Sequence, residues 1–241
     1  MTGREPSVFL PLDLDDARDA EAIADELSGL GLGFKLGPRL MLREGAKLVR
    51  AIAKYGPVFI DCKHFDIPST MEAAIRAGFD AGAQYSTVHA MSGPVALSLM
   101  AKVEAELNEE RLFRVLTVTV LTSFSAETLP YGLRGKPISE LVEGFAMDAF
   151  QNAHGGGLKS FVCSPHEVAR LAEIITDAFL VTPGIRPTGS AADDQVRIET
   201  PAFAARAGAS ALVVGRPILE AKDRRAKAIE IIQEFENART K

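Results

Sequence analysis

Apolar and polar positions alternate between two patterns from one end of the chain to the other. Short apolar runs rich in β-branched and aromatic residues are each followed by a stretch with helical period. The runs predict strands at Val8–Asp13, Gly33–Gly37, Pro57–Lys63, Tyr85–His89, Phe113–Leu121, Lys159–Cys163, Phe179–Thr182 and Ala209–Val214. The periodic stretches predict helices over 16–28, 39–54, 70–81, 95–107, 138–153, 165–175, 201–207 and 221–238. Eight β-α units in 241 residues fit an α/β protein of the (β/α)8 TIM-barrel type. An open doubly wound sheet has the same periodicity. The barrel is favoured by eight units without a break and by the lack of a glycine fingerprint after the first strand. Residues 1–241 then form a single domain. The run Gly155-Gly-Gly157 follows a helical stretch, not a strand, and reads as a helix stop.

Composition adds limits. Hydrophobic residues make up 47% and charged residues 24%, an ordinary globular balance. A net charge of -5 argues against general nucleic-acid affinity. No apolar run is long enough for a membrane span, and the first residues lack a signal-peptide pattern. Cys62 and Cys163 fall in apparent strands and read as buried thiols, which together point to the cytoplasm. Metal-site, Walker and dinucleotide motifs are absent from the sequence.

Candidate chemistry concentrates at residues 61–70, Asp-Cys-Lys-His-Phe-Asp-Ile-Pro-Ser-Thr. Alternation along a strand sends Asp61 and Lys63 to the same side. A lysine bracketed by Asp61 and Asp66 is held in its charged form, which suits a cationic acid and not a nucleophile. A structural ion-pair cluster is the plain alternative. In a barrel the active site lies at the C-terminal ends of the strands, and there the polar residues collect: Asp13, Lys35, Asp61, Lys63, His89, Thr122 and Ser123. Each has a plain reading alone. Asp13 could cap a helix, Lys35 could extend outward, and His89 could be a satisfied core histidine. Their shared rim makes the set informative.

The loops after strands seven and eight read Thr182-Pro-Gly-Ile-Arg186 and Gly215-Arg-Pro217. Barrels often bind phosphate at this position. Gly215 permits close backbone approach, a nearby helix start adds N–H donors, and Arg186 and Arg216 offer forked cationic donors. The polar stretch 187–195 reads as a mobile loop closing over a ligand. The plain alternative is two surface arginines beside ordinary turns.

Asp61-x-Lys63-x-x-Asp66-Ile-Pro-x-Thr70, together with Thr182-Pro-Gly-Ile-Arg186 and Val214-Gly-Arg216, closely resembles the orotidine 5'-phosphate decarboxylase family. Matches run from Leu12-Asp13 to Gly215-Arg216 and include Phe34-Lys35-Leu-Gly37 and Val88-His-Ala90. The resemblance implies a dimeric barrel with sites at the subunit interface, a small-molecule nucleotide substrate, and no metal or organic cofactor. It implies that Lys63 protonates C6 as the carboxylate leaves and that Asp61 lies beside that carboxylate. Lys35 and Lys63 would alternate with Asp61 and the neighbouring subunit's copy of Asp66. Asp13 and Lys35 would contact ribose hydroxyls, and Thr122 the pyrimidine. Asp66, Ile67 and Thr70 would reach into the neighbouring site. Arg186, Gln195, Gly215 and Arg216 would hold the phosphate. The chain departs from the family's usual order at His64-Phe65, where an apolar residue commonly precedes the histidine.

Two other readings share parts of this pattern. Magnesium-dependent relatives, such as hexulose-phosphate synthases and keto-gulonate-phosphate decarboxylases, carry the Asp-x-Lys-x-x-Asp core. A catalytically silent nucleotide sensor could use the same barrel.

Overall fold

The computed structural model describes residues 5–151, 157–187 and 199–239. Eight strands pair in parallel, each with its sequence neighbour, and β1 pairs with β8 to close the barrel. They are β1 Val8–Pro11, β2 Gly33–Leu36, β3 Val58–His64, β4 Tyr85–His89, β5 Arg114–Val118, β6 Ser160–Val162, β7 Phe179–Thr182 and β8 Ala211–Val213. The helices are α1 Ala17–Glu26, α2 Pro38–Glu44, α3 Ala46–Ile52, α4 Pro68–Asp80, α5 Gly93–Asn108, α6 Ile138–Gln151, α7 Val168–Ile174, α8 Pro201–Ala207, α9 Arg216–Leu219 and α10 Arg224–Arg239. The closed ring excludes the open doubly wound alternative.

Local chemistry explains the boundaries. Asp16 is the N-cap of α1, and its Oδ1 accepts the Arg18 N–H at 2.7 Å. Asp13 is thereby not the cap. The stretch 39–54, expected as one helix, is two, because the chain turns out of helical geometry at Gly45 (φ +55°). β5 stops at Val118, three residues short of the expected end. The following Val120 and Leu121 line the barrel mouth instead. Pro68 and Pro201 begin α4 and α8 where a missing N–H costs nothing.

Inside the barrel, Phe9, Phe59, Tyr85, Leu116, Phe179, Val181 and Ala211 form one packed cluster. Phe9 meets Tyr85 edge-to-face at 4.9 Å and Phe59 at 5.3 Å. The N-terminal side is sealed by polar groups. The Tyr85 hydroxyl donates to Glu5 at 3.1 Å, and Arg114 donates two 2.6 Å bonds to the same carboxylate while lying over the Phe179 ring. The outer core lies between strands and helices, where residues such as Leu10, Phe34, Ile75, Val103 and Ile231 are fully buried. Above this floor the C-terminal mouth of the barrel opens into a cleft.

One half-buried carboxyl lies behind that wall. Burial pushes Glu104 of α5 up to about 7, against opposing effects of the Val115 N–H and Arg114. A raised folded pKa favours the fold below the ordinary value of 4.5 and loses that advantage as pH rises through 7. Glu104→Gln should therefore match the wild type near pH 4.5 and gain on the order of 2–4 °C in Tm by neutral pH. Thermal unfolding across that range checks it; a gain independent of pH would contradict it.

Candidate active site

The C-terminal ends of the strands surround a cleft of about 600 Å³. β2 delivers Lys35 into it, buried at 8% exposure and not extended outward. Its Nζ lies 3.1 Å from Asp61 Oδ2 and 3.6 Å from Asp13 Oδ2. The other Asp61 oxygen, Oδ1, accepts from Lys63 Nζ at 2.9 Å. The order Asp13, Lys35, Asp61, Lys63 therefore alternates in sign along the cleft wall. Gly37 makes the tight approach possible, because a Cβ there would lie 2.8 Å from Asp13 Oδ1.

The electrostatics follow from this alternation. Burial pulls the Lys35 ammonium down, but the Asp61 and Asp13 charges and hydrogen bonds outweigh it and leave its pKa raised. Burial pushes the Asp61 carboxyl up, but Lys35 and Lys63 outweigh that and leave it lowered. Both groups remain ionised at neutral pH.

β3 reaches this geometry by a distortion that simple alternation does not contain. Ile60 pairs with Ser86 and His64 with Val88, four steps along β3 against two along β4. The additional length bulges at Asp61–Lys63, and Lys63 takes a left-handed φ of +48°. Buried Thr87 of β4 spans the bulge. Its Oγ1 accepts the Lys63 backbone N–H at 2.8 Å and donates to Asp61 Oδ1 at 3.1 Å. Thr87 was absent from the sequence-based candidates. The available signal was its two-residue spacing from inward-facing Tyr85, which places it on the barrel's interior face.

Thr122, Ser123, Arg186, Gly215 and Arg216 line the same cleft. Arg186 is buried at 8% exposure, with one guanidinium N–H bonded to the Ile185 carbonyl at 2.9 Å. Arg186 N–H donates to Glu199 O at 2.9 Å, and Glu199 N–H to Gly184 O at 3.1 Å. Gly215 passes so close to Pro11 that a Cβ would meet its ring at 2.8 Å. Gln195, and most of the stretch read as a mobile loop, lie outside the described residues.

Asp66, Ile67 and Thr70 do not join the main cleft of their own chain. Asp66 and Thr70 line a neighbouring recess of about 310 Å³ with His64 and Phe65, and Lys63 borders both spaces. The Asp66 carboxylate accepts the Ile67 N–H at 2.7 Å. Ile67 and Phe65 are 64% and 62% exposed. Phe65 stands against the His89 ring, 5.8 Å between centroids. His89 Nδ1 accepts the Met91 N–H at 3.2 Å, a local cap, and burial together with Lys63 lowers its pKa. Among the described residues no group of three His, Cys, Asp or Glu side chains is placed to hold a metal ion. Cys62 and Cys163 are not joined in a disulfide. No helix among the described residues is long and apolar enough to cross a membrane.

A (β/α)8 barrel with alternating ammoniums and carboxylates at its mouth, and two arginines on the same rim, has the architecture of an enzyme for a small anionic ligand. The sequence profile described as Orotidine 5'-phosphate decarboxylase / HUMPS family matches residues 6–231. Orotidine 5'-phosphate decarboxylase from Rhodopseudomonas palustris is 40% identical over 235 residues, covering 96% of this chain and 94% of that protein. The protein of the same name from Halorhodospira halophila is 40% identical over 233 residues, covering 95% and 96%. The crystal structure of orotidine 5'-phosphate decarboxylase from Lactobacillus acidophilus superposes with a TM-score of 0.82 at 31% identity, covering 96% of this chain and 99% of that one. The chain belongs to the orotidine 5'-phosphate decarboxylase / HUMPS family.

Proposed function

We propose that this chain decarboxylates orotidine 5'-monophosphate to uridine 5'-monophosphate, the last step of de novo pyrimidine biosynthesis. The observation that carries this reading is the Asp13–Lys35–Asp61–Lys63 array in the cleft. Breaking the bond between C6 and the carboxylate releases carbon dioxide and leaves the electron pair on C6. That carbon has no internal electron sink. The Lys63 ammonium, already oriented by Asp61, stabilises the developing charge and donates its proton to C6. Solvent then reprotonates the amine. Asp61 lies beside the departing carboxylate, with its own charge held by two ammoniums.

The rest of the cleft supplies binding. Asp13 and Lys35 contact the ribose hydroxyls, Thr122 the pyrimidine, and Arg186, Gln195, Gly215 and Arg216 the phosphate. Binding energy from the phosphate is used at the reacting carbon. The site is completed in a homodimer, in which Asp66, Ile67 and Thr70 enter the partner's cleft. The exposure of Phe65 and Ile67 beside the recess supports this. Two cysteines outside any disulfide suit a reducing compartment, and we place the enzyme in the cytoplasm.

Lys63→Ala should lower kcat by at least about 10⁴-fold, losing both charge stabilisation and the proton donor. Calorimetry should show uridine monophosphate binding largely retained; turnover near the wild-type rate would remove Lys63 from the mechanism. Orotidine lacking the phosphate should react with a sharply reduced kcat/KM, and equal values for the two substrates would exclude the coupling. Ile67→Glu should sediment as a folded monomer without activity. A fully active monomer would refute the shared site.

A further inference from the structure

The bulge in β3 presents a problem of precision. Lys63 carries a left-handed backbone, which is costly for a non-glycine residue and persists only where its surroundings enforce it. Its N–H would be unpaired in the barrel wall without a side-chain partner. Thr87, at 0% exposure, provides that partner at 2.8 Å. A hydroxyl has a single proton to give. It lies 3.1 Å from Asp61 Oδ1, against 3.5 Å from the Ile60 carbonyl. The same Asp61 oxygen receives the Lys63 ammonium at 2.9 Å. The contacts close a ring: Lys63 backbone to Thr87, Thr87 to Asp61, Asp61 back to the Lys63 side chain.

We propose that Thr87 is a positioning residue for decarboxylation, one hydroxyl that fixes both the backbone of Lys63 and the carboxylate of Asp61 in their working orientation. This rests on the roles given to those two residues above. Thr87 does not face the phosphate grip, so its effect falls on the chemical step and not on capture of the nucleotide. Valine has nearly the same shape but neither accepts the Lys63 N–H nor donates to Asp61. Serine keeps both contacts.

The test compares wild type, Thr87→Val and Thr87→Ser, with kcat expressed per uridine monophosphate-binding site so that unfolded protein does not count. Thr87→Val should lose on the order of 10²-fold in kcat, the scale of a misplaced catalytic group, with KM for orotidine monophosphate close to wild type. Thr87→Ser should recover most of the rate. If the valine variant does not fold, Thr87→Ala against Thr87→Ser makes the same comparison. Wild-type kcat per site in the hydroxyl-free variant overturns the proposal, as does an equal loss with serine. Absence of turnover in the wild type is a separate outcome: it removes the proposed function itself, and this role falls with it.

Discussion

The Asp61 carboxylate, shared between two ammoniums, is the interaction on which the site depends. An isolated carboxylate or ammonium in a barrel mouth would lose its charge or unfold its surroundings, because desolvation costs several kcal/mol per ion. Here Asp61 has Lys35 at 3.1 Å and Lys63 at 2.9 Å, and Lys35 has Asp13 behind it. Each charge lowers the cost of its neighbour. The result is a fixed row of charges present before any ligand arrives, so little reorganisation is left for the moment of reaction.

The barrel makes that row possible in three ways. The packed aromatic cluster around Phe9, Phe59 and Tyr85, with the Glu5–Arg114 pair beneath it, gives the cleft a rigid floor. The strand ends bring residues distant in sequence, Asp13 to Arg216, onto one rim. The β3 bulge, clasped by Thr87, brings the Asp61 and Lys63 side chains together on the cleft side and leaves a projecting Phe65–Ile67 segment beyond it. One distortion in one strand thus shapes both the charged cleft and the exposed segment beside it.

Much of this was legible in the sequence, for identifiable reasons. Parallel strands are buried on both faces, so they stand out as continuous apolar runs such as Phe179–Thr182. Rim residues follow from the ends of those runs, which is why Lys35, Asp61, Lys63 and Thr122 were found. What escaped was set by tertiary context. A single glycine at 45 splits an amphipathic stretch whose period continues across it. The four residues of α9 are too few to carry a period. Alternation gave Asp61 and Lys63 a common side but concealed the register shift that brings them together. Thr87 carries no signal of its own in the sequence, because only its neighbour across the sheet reveals what its hydroxyl binds. The finer assignments for Asp66, Ile67 and Thr70 rest on family resemblance, since their segment after β3 carries no periodic signature.

The most direct test of a reaction driven by the protein's own charges is the ultraviolet absorbance of orotidine monophosphate on adding purified, chelator-treated protein with chelator present throughout. The account predicts complete conversion to uridine monophosphate at a rate the chelator does not change. A folded protein that leaves the absorbance unaltered, or one whose activity returns only with a divalent cation, would contradict it and point to the metal-dependent branch of the family.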